Sequence, residues 1–141
     1  MQKNTQEYII SSEKEINEIE FDINIWDRVF FYGELGSGKS TVIRNILRKY
    51  SNNPDLIVRS PTYIYYQRYR IGDLDIFHCD LYRLNDYGTW ISLWWEEIAQ
   101  DKQNVLLIEW PEILGDSISP TKKIYIEIIE NEKRKITITQ I

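Results

Sequence analysis

Residues 33–41 read Gly33-Glu34-Leu35-Gly36-Ser37-Gly38-Lys39-Ser40-Thr41. This is the pattern G-x-x-x-x-G-K-[ST], a glycine-rich loop that opens a helix. Glycines permit positive φ and let the backbone approach a ligand closely. The helix start adds unpaired N–H groups and the positive end of its dipole, an environment suited to phosphate. Lys39 supplies a point charge for outer phosphates, and the Ser40 hydroxyl supplies a ligand for Mg²⁺. The flanks agree. Arg28-Val29-Phe30-Phe31-Tyr32 is a short apolar run with the profile of a buried strand. Ser37 to Tyr50 reads as a helix with Val42, Ile43, Ile46 and Leu47 as its apolar stripe, stopped by Ser51-Asn52-Asn53-Pro54.

Working outward, Ser12-Glu13-Lys14-Glu15 has the form of a capping box and predicts a helix through about Ile19. Leu56 to Val58 is a possible strand. Two strands with a turn at Ile71-Gly72-Asp73 fit the β-branched and aromatic stretch that ends in HCDLYRL. Trp90 to Gln100 has helical spacing. Val105-Leu106-Leu107-Ile108 is a second buried strand, ending in Glu109. Lys123–Ile129 and Lys135–Thr139 flank a polar turn and predict an antiparallel hairpin. The expected architecture is α/β: a P-loop NTPase-like three-layer sandwich with a mixed, partly antiparallel sheet.

The 141 residues predict one P-loop ATPase domain over residues 1–141. Net charge is −5, so any RNA contact is expected to run through a partner rather than through this chain's own surface. Cys79 is the only cysteine, which excludes an intramolecular disulfide and a multi-cysteine zinc site. No signal peptide is read at the N-terminus, and no apolar run approaches the about 18 residues of a membrane span, so the expected address is cytoplasmic. The guanine-reading pattern Asn/Thr-Lys-x-Asp is not completed, which leaves ATP as the expected nucleotide.

A P-loop ATPase also needs a carboxylate at a neighbouring strand end to hold Mg²⁺ or its waters. Glu109 and Asp80 both have that form, and which of them orients water is left open. Ser60-Pro61-Thr62 stands where a switch segment would, with the Thr62 hydroxyl able to reach a γ-phosphate or Mg²⁺. His78 is expected to be structural or to support a ligand, and Cys79 to be core. Trp90, Trp94 and Trp95 are expected mainly in packing.

Four stretches, GELGSGKST, SPTY, HCDLYRL and IEWPE, together resemble the TsaE family, bacterial P-loop ATPases required for the threonylcarbamoyladenosine modification of tRNA. The resemblance implies phosphate contacts through Gly33, Gly36, Ser37, Gly38, Lys39, Ser40 and Thr41. It implies Mg²⁺ held by Ser40 and Glu109, catalytic roles for Asp80, Glu109 and Thr62, and Arg134 beside the nucleotide. It also implies that ATP hydrolysis serves a complex with the threonylcarbamoyl-transfer subunits, through which tRNA is reached. Arg83 in DLYRL is the one candidate arginine finger within the chain and is not a convincing one, so hydrolysis by the isolated chain is expected to be slow. Two other readings compete. In the first, Arg68 and Arg70 close over the second substrate of a small-molecule kinase, although a solvated strand edge explains them more simply. Tyr63, Tyr65, Tyr66 and Tyr69 suggest base stacking in an RNA-binding module, against which the acidic balance argues.

Overall fold

The computed structural model describes residues 4–59, 66–82 and 94–141, with only the backbone of Trp95. Seven strands form one sheet: β1 (Asn4–Ile10), β2 (Arg28–Tyr32), β3 (Tyr66–Ile71), β4 (Leu74–Asp80), β5 (Val105–Glu109), β6 (Lys122–Ile128) and β7 (Arg134–Gln140). Their order is β1-β7-β6-β2-β5-β4-β3. The centre is parallel, with β2 pairing β5 and β6, and β4 pairing β5. Antiparallel strands extend each side, β7 and β1 on one flank and β3 alone on the other. The mixed sheet expected from sequence is thus observed, and β2 has the limits read from its apolar run.

The helix after the glycine loop, α1 (Lys39–Ser51), buries Val42, Ile43, Ile46 and Leu47 against one sheet face. Its C-cap Asn52 adopts φ 53°, and the cap N–H bonds back to the Arg48 and Lys49 carbonyls. That face also carries Val29 and Phe31 of β2, Leu107 of β5 and Ile136 of β7. The opposite face packs Phe30, Phe77, Cys79, Leu106 and Ile108 against Trp94, Ile98 and Leu114. Alternate residues of each strand serve opposite layers, which is the period-2 geometry of a sheet covered on both sides.

Four segments differ from the sequence reading. Residues Glu13–Glu18 form a 3-10 helix, and Ser12 makes no side-chain cap. The Glu15 carboxylate accepts the Ser11 N–H at 2.7 Å, while Glu13 is tied to Arg44 at 2.6 Å and Asn45 at 2.9 Å. Contacts to α1 therefore set this segment, overriding the local capping signal. Leu56 to Val58 is irregular; the Leu56 and Val58 side chains edge the core, and the Leu56 carbonyl is held by Arg48 Nε at 2.9 Å. Strand β1 was not expected at all. The described end of the Trp90–Gln100 helix winds as a π-helical turn over Trp95–Ala99, and residues 90–93 lie outside the described residues.

Among the described residues, no helix is long and apolar enough to cross a membrane.

Candidate functional site

Chain reversal after β2 brings the glycine loop over the C-terminal ends of the parallel strands. Gly33 packs so closely that a Cβ there would lie 2.8 Å from the Ile126 carbonyl oxygen and 2.4 Å from Ser37 Oγ. Gly38 caps α1 at φ 106°, a conformation that strains any residue with a Cβ. These two requirements, close approach and positive φ, fix the loop's path into the helix.

Lys39 is buried, at 5% exposure. Its ammonium donates to the Gly33 carbonyl at 2.5 Å and to the Glu34 carbonyl at 3.3 Å, and lies 4.0 Å from the centroid of the Trp110 ring. Burial pulls its pKa below the ordinary lysine value, opposed by the charges of Glu109, Asp80 and Glu112. Ser40 Oγ lies 3.2 Å from each carboxylate oxygen of Glu109. Glu109 ends β5 at 3% exposure, and Asp80 stands opposite it in the parallel register of β4. Asp80 accepts the Tyr82 N–H at 3.0 Å. Its pKa is raised, chiefly by burial and further by Glu109, with the Tyr82 N–H, His78 and Lys39 pulling the other way.

Arg134, the first residue of β7, reaches back to the loop. Its Nε donates to the Ser37 carbonyl at 2.9 Å. A cleft of about 530 Å³ opens here, walled by Ser11, Ser12, Thr41, Glu132 and Arg134 beside the start of α1. Ser37 Oγ is buried and has no partner among the described residues. It lines both this cleft and a second of about 430 Å³, where Tyr32 stacks on Tyr125 with centroids 4.8 Å apart.

The structure therefore assembles Gly33, Gly36, Ser37, Gly38, Lys39, Ser40, Thr41, Asp80, Glu109 and Arg134 around one loop. Thr62, Ser60, Tyr63, Tyr65 and Arg83 lie outside the described residues, as does Trp90. Three features escaped the sequence reading: the wall formed by Ser11 and Ser12, the Lys39–Trp110 contact and the hydrogen bond from His78 to Glu109. The first two need tertiary proximity that no spacing encodes; the third was signalled only by a lone histidine between apolar residues. Arg68 and Arg70 both pair with Asp75 across the β3–β4 hairpin, at 2.7 and 2.9 Å, as a solvated strand edge would. Cys79 is fully buried, its thiol pushed up to about 12 by desolvation, and Trp94 packs beside it.

The hydroxyl of Ser40 and the carboxylates of Glu109 and Asp80 are hard oxygen donors, a set that fits Mg²⁺. No three His, Cys, Asp or Glu side chains converge into a metal cage among the described residues. Mg²⁺ in a phosphate site keeps waters and phosphate oxygens as most of its ligands, so one hydroxyl with adjacent carboxylates suffices.

Buried strand, glycine loop, helix and strand-end carboxylate, set in a mixed sheet with a parallel centre, define the P-loop NTPase-like class of α/β proteins. Comparison with known proteins narrows this. The model of the family described as "Threonylcarbamoyl adenosine biosynthesis protein TsaE" matches residues 3–137. The chain is 34% identical over 113 residues to the tRNA threonylcarbamoyladenosine biosynthesis protein TsaE of Rickettsia conorii, an alignment covering 79% of this chain and 63% of the relative. It is 28% identical over 114 residues to the Bacillus subtilis protein of the same name, covering 77% and 66%. The crystal structure of Bacillus subtilis YdiB superposes with a TM-score of 0.69 at 20% identity, over 99% of this chain and 88% of that one, and supports the fold. The chain belongs to the TsaE family.

Proposed function

We propose that this protein binds ATP with Mg²⁺ at the glycine loop and hydrolyses it in support of tRNA threonylcarbamoyladenosine formation. The convergence of Lys39, Ser40, Asp80 and Glu109 at the start of α1 carries this reading. The loop amides and the helix start receive the phosphates. Lys39, which now spends its donors on the Gly33 and Glu34 carbonyls, turns them to the phosphate oxygens when these arrive. Ser40 and Glu109 would hold Mg²⁺, which would supply neutralisation of phosphate charge. Arg134, Thr41 and the Ser11–Ser12 wall enclose the nucleoside in the adjoining cleft.

Asp80 is the candidate for orienting water. Burial and the neighbouring Glu109 raise its pKa, and a cation in the site would favour the carboxylate that accepts a proton from water. Thr62 is a further candidate to contact the γ-phosphate. The tRNA role comes from the names of the curated relatives. Threonylcarbamoyl-transfer subunits are the proposed partners, and tRNA is reached through them.

Calorimetry with a non-hydrolysable ATP analogue and Mg²⁺ tests the nucleotide reading. The wild type should bind, and Lys39→Ala should weaken binding by about 10²-fold, the loss of a charge-assisted phosphate contact in a buried site. Absence of any binding heat in the wild type refutes the proposal. Co-purification with the transfer subunits, with and without the analogue, tests the partner reading.

A further inference from the structure

His78 is the chain's only histidine. Its side chain is fully buried, and its Nε2 lies 2.5 Å from Glu109 Oε2. The period of β4 places Ile76, His78 and Asp80 on the sheet face that supports α1. Ile76 belongs to the apolar core there, so an aliphatic side chain at position 78 would continue the pattern. An imidazole stands in its place. A carboxylate as buried as Glu109 needs donors, and without His78 the contact described for it is the Ser40 hydroxyl at 3.2 Å.

The ring geometry adds a second constraint. Nε2 faces a carboxylate and therefore carries the donated proton. Nδ1 is buried without a partner among the described residues. A ring with its proton on Nδ1 alone would bury a donor with nothing to bond and leave Glu109 facing a second acceptor. A planar ring packed in the core has little freedom, and its one donor fixes the rotation of the Glu109 carboxylate. That rotation sets both oxygens equidistant from Ser40 Oγ.

We propose that His78 is a positioning residue for the metal side of the site: it orients Glu109 toward Ser40, so that the magnesium-dependent part of nucleotide affinity depends on it. This rests on the nucleotide reading above. The role extends to ligand binding the familiar pattern in which a second hydrogen bond holds a metal-site carboxylate in place.

Two measurements test it. In nucleotide-free protein the single histidine yields one set of ring nitrogen signals, which should report a proton on Nε2. A ring with no proton on Nε2, or one averaging between tautomers, overturns the proposal. Calorimetry then compares affinity for the non-hydrolysable ATP analogue in Mg²⁺ and in chelator. His78→Leu should lose about 10- to 100-fold of the gain conferred by Mg²⁺ while binding in chelator stays unchanged. His78→Gln, whose amide can still donate, should recover most of that gain. Equal losses in Mg²⁺ and chelator indicate a merely structural role and overturn the proposal, as does a Gln variant that loses the gain. If His78→Leu does not fold, the Gln variant and the ring signals decide. A wild type that binds the analogue no better with Mg²⁺ than without it refutes the metal reading itself, and with it the role of His78.

Discussion

Individual side chains in the site are held in arrangements that cost stability. Asp80 has a carboxyl whose pKa lies above its ordinary 3.8, with burial as the first cause and Glu109 as a like-charged neighbour. An acid with a raised folded-state pKa binds its proton more tightly in the fold than in the unfolded chain. Its penalty is absent below the ordinary value, grows as pH rises from there through the folded-state pKa, and is complete above it. Asp80→Asn keeps the oxygen that accepts the Tyr82 N–H and removes the charge. Its melting temperature at neutral pH should exceed that of the wild type by about 2–5 °C, and the difference should vanish at a pH below the carboxylate range. Equal melting at neutral pH would show that Asp80 carries no such strain. The strand-end position of this residue was legible from Ile76-Phe77-His78-Cys79 leading to an acid. Its partner across the strands was not, because register with Glu109 is a property of the sheet.

At the scale of elements, the clearest sequence signals came from segments whose period matches their burial. Strand β2 and helix α1 bury the faces that their apolar spacing predicts. Segments governed by side chains from elsewhere were not legible in this way: the Glu13–Glu18 turn obeys Arg44 and Asn45, and Leu56–Val58 hangs on Arg48. The same physics operates at the foot of β2. There Arg28, 8% exposed, donates to the backbone carbonyls of Asp27, Ala99, Asp101 and Asn104. This clamp joins the first strand of the parallel core to the end of the π-helical turn and to the entry into β5. Arg28→Met keeps much of the stem but leaves buried carbonyls without donors. It should cost about 2–4 kcal/mol, read as a lower urea midpoint with an unchanged slope. A loss under about 0.5 kcal/mol would mean that water replaces the guanidinium at no penalty.

Across the whole molecule, stability is distributed by position in the sheet. Every residue of β5 is buried, and the strand is paired on both sides by β2 and β4. Strand β1 is the opposite case: it pairs only with β7, most of its residues are exposed, and Ile9 is 63% exposed. This explains why β1 escaped the sequence reading. Its apolar residues do not alternate cleanly toward one buried face, and its partner lies at the far end of the chain, Asn4 against Gln140. Closing so long a loop is entropically costly and is offset only once the β6–β7 hairpin has docked on β2. Strand β1 should therefore add last on folding and open first in the native state. Local opening of an edge strand needs far less free energy than global unfolding, so amide exchange should be graded along the sheet. Amides of β5 and β2 should exchange only through global unfolding, β6 and β7 should follow, and β1 should exchange faster than β5 by about two orders of magnitude or more. Added denaturant should accelerate β5 steeply and β1 weakly, since the first exposes the whole core and the second only one edge. Protection of β1 equal to that of β5 would mean that the antiparallel flank and the parallel centre unfold as one unit. The phosphate loop and its carboxylates would then share their stability with the most distant strand of the sheet.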